Sequence, residues 1–271
     1  MNDPPIASFS FGENWQRFLR HLTPDRIRAA EASLRDFTGL QDFQGKSFVD
    51  VGCGSGLFSY AAFELGAKRI TSFDQDPLAV KCCDYMRSRA GNPNNWEVKR
   101  GSILDKGFVE GLGRYGIVYA WGVLHHTGSM WQAIANAAKL VKPEGLYYLA
   151  LYNKASGLAG SSAWLRIKRL YNLSPSIGKR MLEVSYTSAL TLGMALMTRD
   201  RVGRIERTAG RGMYWKTDAI DWLGGYPYEF AAPDDVNFFI AKTFPEFALV
   251  QTKLTKGLGN NWFLYENRGS G

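Results

Sequence analysis

The chain has 271 residues, of which 45% are apolar and 21% are charged, so it is too apolar for a disordered protein. Lys and Arg number 33 against 25 Asp and Glu, which gives a formal charge of +8. The three cysteines, Cys53, Cys82 and Cys83, show neither disulfide nor metal spacing and predict a reducing, cytoplasmic compartment. The start MNDPPIASF has no basic or apolar signal-peptide region, and the uncharged stretch Val184–Thr198 is shorter than the roughly 20 residues a membrane span needs.

Helical apolar spacing over Asn14–Leu22 and Pro24–Phe37 predicts an N-terminal helical segment, residues 1–44. Short apolar runs then alternate with helical patterns over residues 45–153, and this alternation predicts a Rossmann-like α/β core with a mostly parallel sheet. The predicted strands are Ser47–Val51, Arg69–Phe73, Trp96–Arg100, Gly116–Trp121 and Leu146–Leu151. The predicted helices are Phe58–Leu65, Asp76–Ala90 and Trp131–Val141, and a turn is expected at Pro143–Gly145.

Residues 154–230 interrupt this alternation, and we interpret them as an inserted, partly helical cap. Twelve basic but only three acidic residues lie between 154 and 216, so the excess positive charge belongs to this segment. The βα pattern returns over 231–271, with a helix at Pro233–Lys242 and an antiparallel edge hairpin of Phe247–Leu254 and Asn261–Glu266.

Three alternating glycines follow the first predicted strand, in the run Asp50-Val51-Gly52-Cys53-Gly54-Ser55-Gly56. Glycine allows a sharp turn and close approach of a ligand to the backbone. A dinucleotide fingerprint needs a glycine at position 57, where this chain has Leu57. The spacing instead resembles motif I of the class I S-adenosylmethionine (SAM)-dependent methyltransferases. The resemblance implies that the residues of this loop bind that cofactor: Asp50, Gly52, Cys53, Gly54 and Gly56.

Asp74 ends the second predicted strand and matches the acid with which that family binds the cofactor ribose. The alternative is a helix cap, a role we assign to Asp76. We expect Gln75 and Trp121 to contact the cofactor as well. After the third strand, the resemblance implies that Ser102 bonds the adenine ring and Ile103 packs on it, although the family often has an acid at the position of Ser102.

Adjacent histidines, His125 and His126, follow the fourth predicted strand. Histidine suits proton transfer near neutral pH, and a histidine in this loop deprotonates the acceptor in many small-molecule O-methyltransferases. Because neighbouring side chains point apart, we expect at most one to be the base, and the sequence does not choose between them. A structural hydrogen bond is the alternative for either.

The resemblance covers residues 45–153 well and 231–266 loosely, and it is closest to methyltransferases of ubiquinone and menaquinone biosynthesis. It implies methyl transfer from SAM, leaving S-adenosylhomocysteine (SAH), to a small-molecule acceptor, by O- or N-methylation. No metal-ligand spacing is evident, and we predict no metal. Expected acceptor contacts are Trp15 before the core, Tyr152 at its end, and Tyr226, Tyr228 and Glu229 after the cap's helical part. Packing is the alternative for the run that contains the last three.

The basic cap fits a solvated face, a site for an acidic or hydrophobic acceptor, or contact with nucleic acid or an anionic membrane. An RNA methyltransferase and an inactive SAM-binding protein therefore stay open as alternatives. A different transferase on the same fold, such as an aminopropyltransferase, usually has a first loop that is more acidic and richer in glycine than DVGCGSG. This difference counts against that function.

Overall fold

The computed structural model describes residues 9–197 and 210–269. Seven strands form one sheet in the order β3-β2-β1-β4-β5-β7-β6. Their bounds are β1 Ser47–Val51, β2 Arg69–Asp74, β3 Trp96–Arg100, β4 Tyr115–Trp121, β5 Val141–Tyr152, β6 Phe247–Lys253 and β7 Asn260–Asn267. β1 to β5 pair in parallel, whereas β7 pairs antiparallel with both β5 and β6. The predicted fold class, a mostly parallel Rossmann-like sheet with an antiparallel final hairpin, is confirmed.

Helices cover both faces of the sheet, and alternate strand residues supply the two cores. Val49 and Val51 of β1 pack on one side with α5 (Lys106–Leu112), α6 (Met130–Ala138) and α10 (Pro233–Thr243). Phe48 and Tyr119 pack on the other side with the helices α1 (Phe11–Leu19), α2 (Pro24–Thr38), α3 (Leu57–Glu64) and α4 (Pro77–Arg89). This alternation fixes which residues point to each face at the end of every strand.

One helix and the start of one strand differ most from the sequence predictions. Helix α5 was not predicted, and it begins where the Asp105 carboxylate accepts the N–H of Phe108 at 3.1 Å. β5 begins at Val141 rather than Leu146, so the expected turn at Pro143–Gly145 lies within the strand and α6 ends earlier than predicted. β5 is irregular at this point: Glu144 has a positive φ of 61°, and the pairing with β4 shifts register between Tyr115 and Ile117.

Between β5 and α10 the chain leaves the sheet and returns beside the point of departure. The N–H of Lys154 donates to Ala231 O, and the N–H of Ala231 donates to Tyr152 O, each at 3.1 Å. The described part of this excursion consists of the helices α7 (Ser161–Leu173), α8 (Ser176–Met197) and α9 (Trp215–Gly224), with a short 3-10 turn at Gly210–Gly212. This geometry favours our interpretation of an inserted cap. Four basic residues of the predicted cluster lie outside the described residues: Arg199, Arg201, Arg204 and Arg207.

No helix in the described part of the chain combines the length and the apolar character required to cross a bilayer.

Candidate active site

The glycine loop after β1 is shaped by contacts that leave no room for side chains. Gly52 and Gly54 have φ of 67° and 52°. A β-carbon at Gly54 would lie 2.7 Å from Trp15 Nε1, and one at Gly52 would lie 2.2 Å from a methyl of Val123. Glycine is therefore required at both positions for conformational and for steric reasons.

Asp74, at the end of β2, is joined to this loop. Its Oδ2 accepts the N–H of Gly54 at 3.2 Å, and its Oδ1 accepts the N–H of Asp76 at 2.9 Å. Burial raises the pKa of the Asp74 carboxyl to about 6, although backbone N–H groups oppose the shift. Asp76 caps α4 as predicted, because its Oδ1 accepts the N–H of Leu78 at 2.8 Å. Asp74 is thus free of the capping role and faces the glycine turn.

Asp50 lies on the other side of the same turn. Its Oδ2 accepts the hydroxyl of Ser59 at 2.6 Å, and that hydroxyl in turn accepts a hydrogen bond from Ser72 at 2.6 Å. Burial raises the pKa of the Asp50 carboxyl to about 7. The turn is therefore flanked by two carboxyl groups whose pKa values are raised toward neutral pH by burial.

A cavity of about 1240 Å³ opens over the carboxyl ends of the parallel strands and extends beneath the cap. Ligands of open α/β sheets bind at this edge. Thirteen of the predicted site residues line the cavity: Trp15, Asp50, Gly52, Cys53, Gly54, Asp74, Gln75, Ser102, Ile103, Trp121, His126, Tyr152 and Tyr226.

The first residues described in the chain form one wall of the cavity. Phe9, Phe11 and Trp15 line it, and the N–H of Gly12 donates to Asp76 Oδ2 at 2.8 Å. From the opposite side of α1, the amide of Asn14 donates to the Asp221 carboxylate in the cap at 2.7 Å. Helix α1 therefore connects the sheet edge with the cap.

The two histidines differ in position and in tautomer. The Nδ1 of His126 lies 2.5 Å from Pro227 O, and only a protonated Nδ1 can donate to a carbonyl, so its Nε2 has a free lone pair. The His125 Nδ1 instead accepts the N–H of Tyr152 at 3.2 Å, so its proton is on Nε2, which is buried without a partner. Only His126 lines the cavity.

Both rings are neutral at physiological pH. Burial lowers the pKa of His126 to about 3, with a further contribution from the positive charge of Lys168. Burial also lowers the pKa of His125 well below its usual value, followed by the effects of His126 and Lys168. His126 is therefore a neutral acceptor at the cavity wall.

Four predicted site residues do not line the cavity, and each has a structural contact instead. Gly56 begins α3, where a β-carbon would lie 2.8 Å from Cys83 Cα. His125 is fully buried behind His126. The ring of Tyr228 packs 4.8 Å from Lys168 Nζ. The Glu229 carboxylate accepts the N–H of Met130 at the start of α6, at 3.1 Å, and so acts as a helix cap.

The cap contributes charged residues that the sequence analysis did not single out. Lys168 is fully buried, donates to the carbonyls of Asp221 and Trp222, and has a pKa that burial lowers to about 7. Asp218 and Asp221 line the cavity, and burial raises the pKa of the first to about 6 and that of the second well above its usual value. Arg211 lines it too. The only local feature of the sequence that pointed to Arg211 was its position between two glycines, shortly before aromatic residues.

Comparisons with known proteins agree with this geometry. A family described as "Methyltransferase domain" matches residues 49–147. The ubiquinone biosynthesis O-methyltransferase of Methylobacterium sp. (strain 4-46) is 30% identical over 143 residues, which are 51% of this chain and 55% of that protein. The ribosomal protein L11 methyltransferase of Tolumonas auensis (strain DSM 9187 / NBRC 110442 / TA 4) is 31% identical over 105 residues, 39% of this chain and 33% of that one. The chain thus spans about half or less of the length of these relatives.

A solved structure shares the fold over most of the chain. The magnesium protoporphyrin IX methyltransferase of Synechocystis PCC 6803, with bound SAH, is 14% identical, with a TM-score of 0.51 that covers 89% of this chain and 82% of that one. Residues 49–147 thus match a methyltransferase domain, and the chain shares the fold of a methyltransferase structure that holds SAH.

Proposed function

We propose that the whole chain transfers a methyl group from SAM to a small-molecule acceptor, and that the cavity holds both. The observation that carries this proposal is that His126, whose Nδ1 is bonded to Pro227 O, lines the same cavity as the glycine turn and Asp74. We retain a cytoplasmic location as a prediction.

Residues at the sheet edge would hold the cofactor. The carboxylate of Asp74 would accept the ribose hydroxyls, while Gly52 and Gly54 let the backbone approach the ligand closely. Ser102, Ile103 and Gln75 would surround the adenine, since all three line the cavity beyond Asp74. When bound, the sulfonium supplies a methyl group that is already electrophilic.

The chain itself then has to orient the acceptor and remove a proton. Because burial makes His126 a weak base, its Nε2 would accept a hydrogen bond from an acceptor hydroxyl or amine and would take the proton as methyl transfer makes it strongly acidic. The bond from Nδ1 to Pro227 O fixes the ring orientation, and Gly225 leaves room for it, since a β-carbon there would lie 2.8 Å from His126 Cε1. Tyr152, Tyr226 and Trp15 would pack on the acceptor and exclude water. Positioning of this kind contributes several kcal/mol to barrier reduction.

A calorimetric and a kinetic experiment test the proposal together. Calorimetry with SAH should give saturable binding of one molecule per chain. Release of SAH from SAM is then measured with a panel of phenols and amines. With a turned-over acceptor, His126→Gln should keep its SAH affinity and lose about a hundredfold in kcat, in line with general-base contributions. His125→Gln, as the neighbouring control, should change stability more than kcat at saturating acceptor. Absence of SAH binding, or full activity of His126→Gln, contradicts the proposal.

The RNA methyltransferase alternative loses part of its support from the cap. Of the eight basic residues of the cluster that the structure describes, Lys168 is buried and Arg211 lines the cavity. A gel shift at low salt with unstructured RNA should stay empty, whereas a shifted band would favour that alternative.

A further inference from the structure

Arg211 lines the cavity, and its backbone conformation is fixed by the packing of the next residue against a helix. It lies in the 3-10 turn between α8 and α9. Its φ is 74°, in the left-handed region that residues other than glycine rarely adopt. The next residue, Gly212, lies against α2, where a β-carbon would be 2.0 Å from Arg26 O. The Arg26 guanidinium also donates to the carbonyls of Gly212 and Met213. Strain retained at one residue in this way is typical of functional sites.

The Arg211 guanidinium is surrounded by aromatic residues that line the cavity. Its carbon lies 3.2 Å from the centroid of Trp121 and 4.5 Å from that of Phe58, and one terminal nitrogen donates to the Tyr119 hydroxyl at 2.8 Å. Stacking on aromatic faces holds the planar group in one orientation. Its hydrogen-bond donors are therefore preorganised.

Two donors in this cluster have no acceptor. Among the described residues, Arg211 Nε and Trp121 Nε1 are both buried without a hydrogen-bond partner. A buried donor left unpaired costs free energy, and a charged donor costs more than a neutral one. Both belong to residues that line the cavity, so a ligand in the cavity is positioned to supply the missing acceptor.

The positive charge of Arg211 also has no ion pair within the part of the chain that the structure describes. Asp218 and Asp50 are the cavity carboxyl groups whose pKa its charge lowers, but neither is hydrogen-bonded to it, and Asp50 is bonded to Ser59 instead. A second cation, Lys253, lines the same cavity and lies 4.3 Å from the ring of Trp262, which is itself 5.7 Å from Trp121. These two cations and several aromatic rings therefore contribute to the lining of this cavity.

We propose that Arg211, together with the Trp121 indole N–H, binds the carboxylate of a ligand in the cavity. A guanidinium matches a carboxylate because both are planar and can form charge-assisted hydrogen bonds. The carboxylate is either that of the amino-acid tail of the cofactor or that of an anionic acceptor. The inference rests on the proposed function, which supplies both ligands.

Calorimetry with three probes tests this inference and separates the two sources. The probes are SAH, 5′-methylthioadenosine, which lacks the amino-acid tail, and 4-hydroxybenzoate added to protein saturated with SAH. Arg211→Met is compared with wild type, and Arg169→Met, on the exposed surface of α7, is the matched control. Arg211→Lys keeps the positive charge but lacks the planar guanidinium, and it replaces Arg211→Met in these measurements if that variant does not fold.

If the ligand is the cofactor tail, Arg211→Met weakens SAH binding by about tenfold to a hundredfold, as loss of a charged hydrogen bond implies. Its 5′-methylthioadenosine affinity then stays at the wild-type value. If the ligand is an acceptor, SAH affinity is unchanged and 4-hydroxybenzoate binding is lost. The inference is overturned if no probe loses affinity, or if 5′-methylthioadenosine loses as much as SAH. Failure of wild type to bind SAH overturns the proposed function instead.

Discussion

The sheet edge and the cap contribute to the same cavity in different ways. At the edge, ligand-facing groups are set by short motifs in which neighbouring residues determine each other, as in the turn of Gly52 and Gly54 beside Asp74. In the cap, charged groups such as Lys168 and Arg211 reach buried positions through contacts with residues that are distant in sequence. Local sequence pattern therefore determines the sheet-edge side of this cavity, and tertiary packing determines the side formed by the cap.

The sharpest difference is expected from a single methyl group added at the edge. Gly54→Ala places a β-carbon 2.7 Å from Trp15 Nε1 at a residue with a positive φ, so the turn has to move. A left-handed conformation costs an L-residue roughly 1–2 kcal/mol, and we expect SAH affinity to fall by about tenfold to a hundredfold in calorimetry.

Gly111→Ala is the matched control, because nothing lies within 4 Å of a β-carbon there and the residue belongs to helix α5. Its SAH affinity should equal that of wild type. Equal loss in both variants, or none in Gly54→Ala, would mean that the turn does not shape the cofactor site.

In the cap, the buried amine of Lys168 should make stability depend on pH. Its folded-state pKa, about 7, lies below the ordinary 10.5, so between these values the unfolded chain binds more protons than the folded one. The free energy of unfolding should therefore rise with pH across this window, by about 2 kcal/mol between pH 7 and pH 9. Denaturant unfolding of Lys168→Met should lack this rise.

Lys154→Met removes an exposed lysine of the same segment and is the control. It should keep the wild-type dependence on pH. A rise of the same size in wild type and in Lys168→Met would show that the amine is not buried as described.

A smaller effect is expected from the titration of Asp74. Since its pKa is about 6 and the ribose hydroxyls need the carboxylate as acceptor, SAH binding should weaken by about fourfold from pH 7.5 to pH 5.5. Asp74→Asn should bind SAH more weakly and lack this component of the pH dependence. An unchanged profile in Asp74→Asn would assign the titration to another group, such as Asp50.

What the sequence could predict follows from the range of the interactions. The mostly parallel strands, the glycine turn and the helix cap at Asp76 depend on residues close in sequence, and they could be predicted from the sequence. The difference in tautomer between His125 and His126 depends on Pro227, about a hundred residues away, because that carbonyl sets the orientation and tautomer of His126. Glu229 similarly caps a distant helix, and no local pattern indicates this contact.

The burial of charged residues in the cap could not be predicted from the sequence, because it also depends on contacts with residues distant in sequence. Spacing predicted helices there and identified an excess of basic residues, but the number of charges does not indicate which of them are enclosed. Lys168 is enclosed by the rings of Tyr152, Trp222 and Tyr228, which come from three other segments.

A crystal structure with SAH bound tests the central claim most directly, namely that the turn at Gly52–Gly54 and the carboxylate of Asp74 hold a nucleoside whose sulfur faces His126. The account predicts ribose hydroxyls within hydrogen-bond distance of Asp74 and the sulfur on the cavity side of the His126 ring. A nucleoside bound elsewhere, or a sulfur that faces away from His126, would contradict it.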